Sequence, residues 1–275
     1  MNTVLFSFFS CLGLCLSQEG HSGEKELPVV STESKSVDDF FKKYDFVGSE
    51  TILDVGSGDG RITALLAQKV KLGKVVGVDI SSALVDVAKA KYKGASPNLE
   101  FRVNNAADLS YVHEFDLITS FMAMHWVLDQ DSALNGFFQG LKPGGKIWIQ
   151  MPMGLPKNFI HALQKVLVAD KWKKYFTTFT PPWKFYTPAE YRDLLVDHQF
   201  KPLKISVYNK EDEFGSKEAF SCFLRKWLPY LHAVPVEEKE LLLEEIANSY
   251  LSTHLADNQG KIKFSVQTLE VLAQK

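Results

Sequence analysis

The chain has 275 residues, of which 45% are hydrophobic and 23% are charged. This is ordinary for a globular protein and allows a substantial buried core. The formal net charge of −2 excludes a global positive field that would recruit nucleic acid or an anionic membrane. Only Cys222 lies outside the N-terminal segment, so the body of the chain has no internal disulfide framework. No Cys/His group has zinc-ligand spacing, and we expect no metal.

The N-terminal segment contains an apolar run over residues 4–16 that is too short to span a bilayer as a helix. Its length suits a signal peptide, but no Lys or Arg precedes it. We therefore expect a cytoplasmic protein, with export the alternative if residues 1–17 are a signal peptide. Residues 18–36 are polar, so residues 1–36 are interpreted as a leader and linker before one domain over 37–275.

Short apolar runs and amphipathic segments alternate through the first half of that domain, which indicates an α/β doubly wound sheet. Ligands of such sheets bind beyond the carboxyl ends of the strands. Ser81 or Ser82 is suited to cap the third helix. The predicted strands span 51–55, 74–79, 99–103, 115–120 and 146–151, and the predicted helices 37–44, 62–70, 81–93 and 131–141.

The second half of the chain is richer in aromatic residues, especially between 172 and 186. Thr187 followed by Pro188 predicts a helix start, and this helix reaches about residue 198. Strands are predicted at 203–208 and 261–273, and helices over 215–255 with interruptions near Pro229 and Pro235. We expect the segments at about 152–186 and 214–256 to form helical caps.

A glycine loop containing Gly56, Gly58 and Gly60 follows the first predicted strand and opens a helix. Glycines let backbone N–H groups approach a ligand closely. The third glycine comes one residue earlier than in the dinucleotide pattern G-x-G-x-x-G, which disfavours an NAD-dependent oxidoreductase. Asp79 ends the second strand, where an acid can accept hydrogen bonds from ribose hydroxyls. Loop and acid together predict a nucleotide-like ligand.

Four features together resemble the class I S-adenosylmethionine-dependent methyltransferases: the loop from Asp54 to Gly60, Asp79, the strand at 115–118, and Lys142-Pro143-Gly144-Gly145. The triplet His125-Trp126-Val127 and the helical tail at 214–251 further resemble the group containing trans-aconitate and juvenile hormone acid methyltransferases. That group methylates carboxylates of small organic acids. The resemblance covers about residues 37–275 and implies a seven-stranded, mostly parallel, Rossmann-like sheet.

The resemblance also implies that S-adenosylmethionine is the cofactor and assigns residues to it. Asp54 would face the methionine amino group and Asp79 the ribose hydroxyls. Asn105 stands where the family usually has Asp, and its carbonyl can accept the same hydrogen bond from the adenine amino group. The remaining implied contacts are the loop residues Gly56, Ser57, Gly58 and Gly60, Ile80 and Ala106 at the adenine, and Ser120 beside the methionine end.

The partner implied by the resemblance is a small organic acid. A carboxylate is already ionised at pH 7, so it needs alignment rather than a base. A hydroxyl or amine acceptor would have to lose a proton, and His125 is then the best candidate base. Otherwise His125 packs or orients the acceptor, and Trp126 either walls the site or packs in the core. Aromatic residues lining the pocket would favour an acceptor more apolar than a tricarboxylate.

Two further functions are weighed against this one. The group usually has a helix with polar contact residues before the first strand, and here an apolar leader replaces part of that region. A protein that binds S-adenosylmethionine without catalysis is therefore the alternative. Nucleic-acid methylation is disfavoured, because the chain has no basic patch and no Asn-Pro-Pro-aromatic motif after the fourth strand.

Overall fold

A computed structural model describes residues 33–254, 257, 258 and 260–275. The apolar segment at 1–17, on which the expectation about export depends, lies outside the described residues. Across the described parts of the chain, no helix combines the length and apolarity needed to cross a membrane.

The strands of the described chain follow the predicted order. They are β1 (Thr51–Val55), β2 (Lys74–Asp79), β3 (Leu99–Val103), β4 (Phe115–Phe121), β5 (Leu141–Pro152), β6 (Lys201–Phe214) and β7 (Ile262–Gln274). The α-helices are α1 (Glu33–Lys43), α2 (Arg61–Lys69), α3 (Ser82–Lys91), α4 (Gln130–Gly140), α5 (Lys157–Leu167), α6 (Lys173–Phe176), α7 (Pro188–Asp197), α8 (Lys217–Trp227) and α9 (Lys239–Leu251).

The strands form one seven-stranded sheet in the order β3-β2-β1-β4-β5-β7-β6. The pairs among β1 to β5 are parallel, and β7 is antiparallel to β5. This confirms the predicted doubly wound, mostly parallel sheet. The chain reverses its direction of winding between β1 and β4, and ligands of such sheets bind beyond the strand ends at this point.

The chain divides into two compact units. The sheet unit comprises residues 36–154, 183–209 and 267–275, and the helical unit includes 155–182 and 210–266. Both β6 and β7 contribute residues to each unit. The predicted aromatic segment is therefore divided, because Trp172 belongs to the helical unit and Trp183 to the sheet unit.

The sheet unit buries apolar side chains on both faces of the sheet, as a doubly wound fold requires. On one face, Phe40 of α1 and Leu66 of α2 pack with Trp148 of β5. On the other face, Phe137 of α4 and Tyr191 of α7 pack against the strands. These layers fix the strand ends that carry the candidate site.

The helical unit has its own core, in which α5, α8 and α9 bury apolar residues such as Phe159, Phe220 and Ile246. Trp172 is fully buried there, and its Nε1 donates to Glu245 Oε2 at 2.6 Å. An ion pair between Lys210 and Asp212 is also buried in this unit, with 3.3 Å between Lys210 Nζ and Asp212 Oδ2.

The structure differs from the predicted elements at three places. Helix α1 begins at Glu33, within the segment predicted to be a linker up to residue 36. Strand β6 runs to Phe214 rather than ending at residue 208. Its polar continuation pairs with Lys261, directly before β7, and with Lys263 of β7, whose Nζ atoms lie 2.9 Å from carboxylate oxygens of Glu213 and Glu211, respectively. Residues 142–145, which separate the predicted helix at 131–141 from the predicted strand at 146–151, form a bulge within β5, where the register against β4 shifts.

Candidate active site at the carboxyl edge of the sheet

The glycine loop turns sharply where β1 ends and is held against the end of β2. The N–H groups of Gly56 and Ser57 donate to the Val78 carbonyl at 2.8 and 3.0 Å. Gly56 and Gly60 have φ of 75° and 83°, in the left-handed region that favours glycine. The predicted strand-to-helix turn is therefore present, and its conformation requires glycine.

The same loop packs against the segment that follows β4. A Cβ atom on Gly56 would lie 2.2 Å from the Cβ of Ala123, far closer than non-bonded carbon atoms approach each other. Ala123 stands two residues before His125. The predicted cofactor loop and the predicted catalytic segment are thus in direct contact.

Asp79 is buried at the end of β2, with 9% of its surface exposed. Its Oδ2 accepts from the Gly58 N–H and its Oδ1 from the Ser81 N–H, both at 2.9 Å. Burial raises the pKa of Asp79, and these two hydrogen bonds oppose that rise. A carboxylate has about four lone-pair sites, so this one can still accept from a pair of hydroxyl groups.

Asp54 is buried more deeply, beneath the loop. Its Oδ2 accepts from Thr63 Oγ1 at 2.6 Å and its Oδ1 from Thr119 Oγ1 at 2.9 Å. Burial raises the pKa of Asp54 to about 6, the two threonine hydroxyls oppose the rise, and nearby Asp79 adds to it. The group is mostly ionised at pH 7 and is the second buried carboxylate of the site.

The residues predicted at the adenine lie on the more exposed side of the site. Ile80, directly after Asp79, has 60% of its surface exposed. Asn105 caps a 3-10 turn at Ala106–Asp108, and its Oδ1 accepts from the Ala107 N–H at 3.0 Å. Ala106 is half-buried in that turn.

Ser120 lies at the carboxyl end of β4, beside the end of β1. It is fully buried, and its Oγ donates to the Val55 carbonyl at 2.9 Å. This hydrogen bond links the carboxyl ends of β1 and β4, beside which the methionine end of the cofactor is predicted to lie.

His125 and Trp126 belong to a 3-10 turn at Met124–Trp126. His125 is only 7% exposed, and its Nδ1 is buried with no hydrogen-bond partner. Burial lowers the pKa of His125 to about 3, so the imidazole is neutral at pH 7. A buried polar atom without a partner costs free energy, which a bound ligand can recover.

Four rings meet around this turn, and we name them the aromatic wall. The His125 ring stacks on Phe185 with centroids 6.0 Å apart and also contacts Trp126 at 4.9 Å. Trp126 contacts Trp183 at 5.5 Å. The Lys184 N–H donates to the His125 carbonyl at 2.8 Å, which ties the two segments of the wall together.

The amino-acid sequence alone does not predict several residues of this site. Thr63 and Thr119 hold Asp54, and they lie 9 and 65 positions away from it along the chain. Gln130, the first residue of α4, donates a hydrogen bond to the Met124 carbonyl in the turn that carries His125. The sequence shows only that a glutamine follows the N-cap Asp129 of an amphipathic helix, and it gives no signal for Phe185 beyond its aromatic neighbours.

The chain is similar to known methyltransferases. The family model described as "Methyltransferase domain" matches residues 52–145. Protein 235L of Invertebrate iridescent virus 6, named as a methyltransferase, is 23% identical and aligns over 92% of each chain. The juvenile hormone acid O-methyltransferase of Drosophila melanogaster is 26% identical over 78% of this chain and 75% of its own.

The trans-aconitate 2-methyltransferase of Deinococcus radiodurans is 35% identical over 43% of this chain and 42% of its own. Among solved structures, the YcgJ protein of Bacillus subtilis shares the fold with a TM-score of 0.62 at 18% identity. That alignment covers 88% of this chain and 98% of the other.

The sheet order and the glycine loop, together with these matches, define the class I, Rossmann-like methyltransferase fold. The chain is an S-adenosylmethionine-dependent methyltransferase, and S-adenosylmethionine, which is bound in solved methyltransferase structures of the same fold, is its cofactor. The predicted resemblance to the trans-aconitate and juvenile hormone acid methyltransferases is confirmed.

Proposed function

We propose that the chain transfers the methyl group of S-adenosylmethionine to a carboxylate oxygen of a small organic acid. The burial of His125 carries this proposal, because a pKa of about 3 makes its imidazole a weak base. A hydroxyl or ammonium acceptor must lose a proton, and a base so far below the operating pH contributes little. A carboxylate is ionised already and requires only alignment and exclusion of water.

The relatives support an acid as the acceptor. Two of the similar proteins are named for organic acids, juvenile hormone acid in one case and trans-aconitate in the other. These names describe those proteins, and the proposal transfers to this chain only the acceptor class that they share.

The residues of the sheet unit fit the cofactor. S-adenosylmethionine supplies an electrophilic methyl carbon on a positively charged sulfur. In our proposal Asp79 holds the two ribose hydroxyls and Asp54 faces the ammonium group. The Ser57 hydroxyl is buried without a partner, which suits a site that a polar ligand completes. Gly56 leaves no space for a side chain, so the loop backbone itself forms the floor.

The aromatic wall gives the acceptor side a different character. Trp126, Trp183 and Phe185 offer apolar ring surface, and the neutral His125 offers one unpaired nitrogen. We propose that His125 forms a hydrogen bond with the acceptor, while the rings contact its apolar body. This arrangement favours a monocarboxylic acid with an apolar body over a tricarboxylate.

The test uses the full-length protein, cofactor labelled on the methyl group, and a panel of matched acceptors. The panel contains aliphatic and aromatic monocarboxylic acids, their corresponding alcohols and amines, and tricarboxylates. We expect label in a methyl ester, which mild alkali hydrolyses to release labelled methanol. Label stable to alkali would indicate a hydroxyl or amine acceptor. Binding of S-adenosylhomocysteine without product from any acceptor would favour the non-catalytic alternative.

A further inference from the structure

The turn that carries His125 and Trp126 is fixed from several sides within the sheet unit. Met122, at its entrance, has φ of 55°, a conformation that a residue with a side chain rarely adopts. Its N–H donates to the Gln150 carbonyl at 2.7 Å. Strained residues persist where their surroundings over-determine them, and they cluster at functional sites.

One of these supports is a buried side chain. Gln130 is fully buried, and its Nε2 donates to the Met124 carbonyl at 2.5 Å. Its Oε1 accepts from the Tyr191 hydroxyl at 3.2 Å, and Tyr191 is itself fully buried in the apolar core. A buried amide is costly unless its groups are bonded, and here both ends have partners.

Gln130 is not needed to start the helix that it opens. The N-cap of α4 is Asp129, whose Oδ1 accepts from the Ser132 N–H at 3.0 Å. The side chain of Gln130 is therefore directed to the turn instead of to its own helix. Tyr191 lies 61 positions further along the chain, so the contact is tertiary.

We propose that Gln130, held by Tyr191, is a positioning residue for methyl transfer that fixes the Met124 carbonyl and, with it, His125 and Trp126. The proposal rests on the proposed function, in which His125 and Trp126 contact the acceptor. Because Ala123 packs on Gly56, movement of the turn would also displace the acceptor side relative to the cofactor loop. A misplacement of about 1 Å can reduce a rate on the order of 100-fold.

The test compares Gln130→Met, which keeps the side-chain length but removes both hydrogen bonds, with Tyr191→Phe, which removes one hydroxyl. The matched control is Tyr250→Phe in the helical unit, where the lost hydroxyl donates to the Lys263 carbonyl at 2.8 Å. We expect the single-turnover rate to fall roughly 10-fold to 100-fold in Gln130→Met and less in Tyr191→Phe. Affinity for S-adenosylhomocysteine should change by less than about threefold, because a positioning loss acts on the chemical step.

A second readout needs no acceptor and so separates this proposal from the proposed function. Nuclear magnetic resonance of labelled histidine should show the wild-type His125 imidazole neutral down to about pH 4. In Gln130→Met the loosened turn should admit water and move the pKa of His125 upward, towards its usual value of about 6.5.

Each outcome decides one of the two proposals. If the wild type methylates no acid but the His125 titration shifts in Gln130→Met, the proposed function fails, while the result still shows that Gln130 positions the turn carrying His125. If rate and titration are both unchanged in Gln130→Met and Tyr191→Phe, Gln130 has no positioning role. If Gln130→Met and Tyr191→Phe only lose stability, as Tyr250→Phe is expected to, the positioning role of Gln130 is also overturned. Should Gln130→Met fail to fold, Tyr191→Phe decides the question with the same two measurements.

Discussion

The cofactor side and the acceptor side of the site treat their buried polar groups differently. On the cofactor side, Asp79 accepts two backbone hydrogen bonds and Asp54 accepts two from threonine hydroxyls. On the acceptor side, the Nδ1 of His125 is buried among aromatic rings without a partner. The two carboxylates of the cofactor side are therefore held by the protein, although the nearby Ser57 hydroxyl is buried without a partner. On the acceptor side, the buried nitrogen of His125 is left for a ligand to satisfy.

The largest expected effect lies where the two sides meet. Gly56→Ala introduces a Cβ that would lie 2.2 Å from the Ala123 Cβ, at a φ of 75°. The left-handed backbone and the overpacking together should lower the free energy of unfolding by about 4 kcal/mol. Chemical denaturation, followed by circular dichroism, measures the loss.

Gly58→Ala is the matched control, since its φ is 56° but no heavy atom lies within 4 Å of the added Cβ. It should lose only about 1 kcal/mol. In the double variant Gly56→Ala/Ala123→Gly, the steric part of the loss should be recovered. Equal losses in both single variants, with no recovery in the double, would show that the two sides do not touch.

Asp79→Ala tests the pre-organised side directly. Removing the carboxylate should weaken S-adenosylhomocysteine binding by about 2–3 kcal/mol, because charge-assisted hydrogen bonds to the ribose hydroxyls would be lost. Calorimetric titration measures the affinity. Asp86→Ala, at an exposed position of α3, is the control and should leave the affinity unchanged. An unchanged affinity in Asp79→Ala would remove Asp79 from the cofactor site.

Asp54 predicts a pH dependence of stability. Its folded-state pKa of about 6 lies above the ordinary value of 3.8, so the folded protein holds this proton more tightly than the unfolded chain. Stability from this group is present at low pH and is lost as the pH rises through 6. Relative to wild type, Asp54→Asn should gain about 2 kcal/mol between pH 4 and pH 7. If the difference in stability between Asp54→Asn and the wild type is constant across that range, burial does not raise the pKa of Asp54.

The parts of this site that the sequence predicts are those specified by residues close together along the chain. The glycine loop, Asp79 and the Ser81 cap of α3 are specified within a few residues of one another, and the structure has all three. The strands β1 to β3 also have the predicted bounds, because their apolar runs end sharply at loops.

The rest depended on contacts between distant residues. Nothing in the sequence around His125 states that Phe185 stacks on it, or that Gln130 and Tyr191 hold its turn. The predicted strand at 203–208 omits the charged end of β6, because only pairing with Lys261 and Lys263 makes that polar run suitable for a strand. The residues that surround His125 therefore become known only from the tertiary packing, not from the local sequence.

The smallest effect expected concerns His125, and it has the opposite sign with pH from that of Asp54. The folded-state pKa of about 3 lies below the ordinary 6.5, so the unfolded chain takes up this proton first and stability falls as the pH drops below 6.5. His125→Phe keeps a ring against Phe185 and removes the titration. Between pH 7 and pH 5.5 the wild type should lose about 1 kcal/mol relative to this variant. If the difference in stability between His125→Phe and the wild type is the same at both pH values, His125 is hydrated, and the argument for an acceptor that needs no base loses its support.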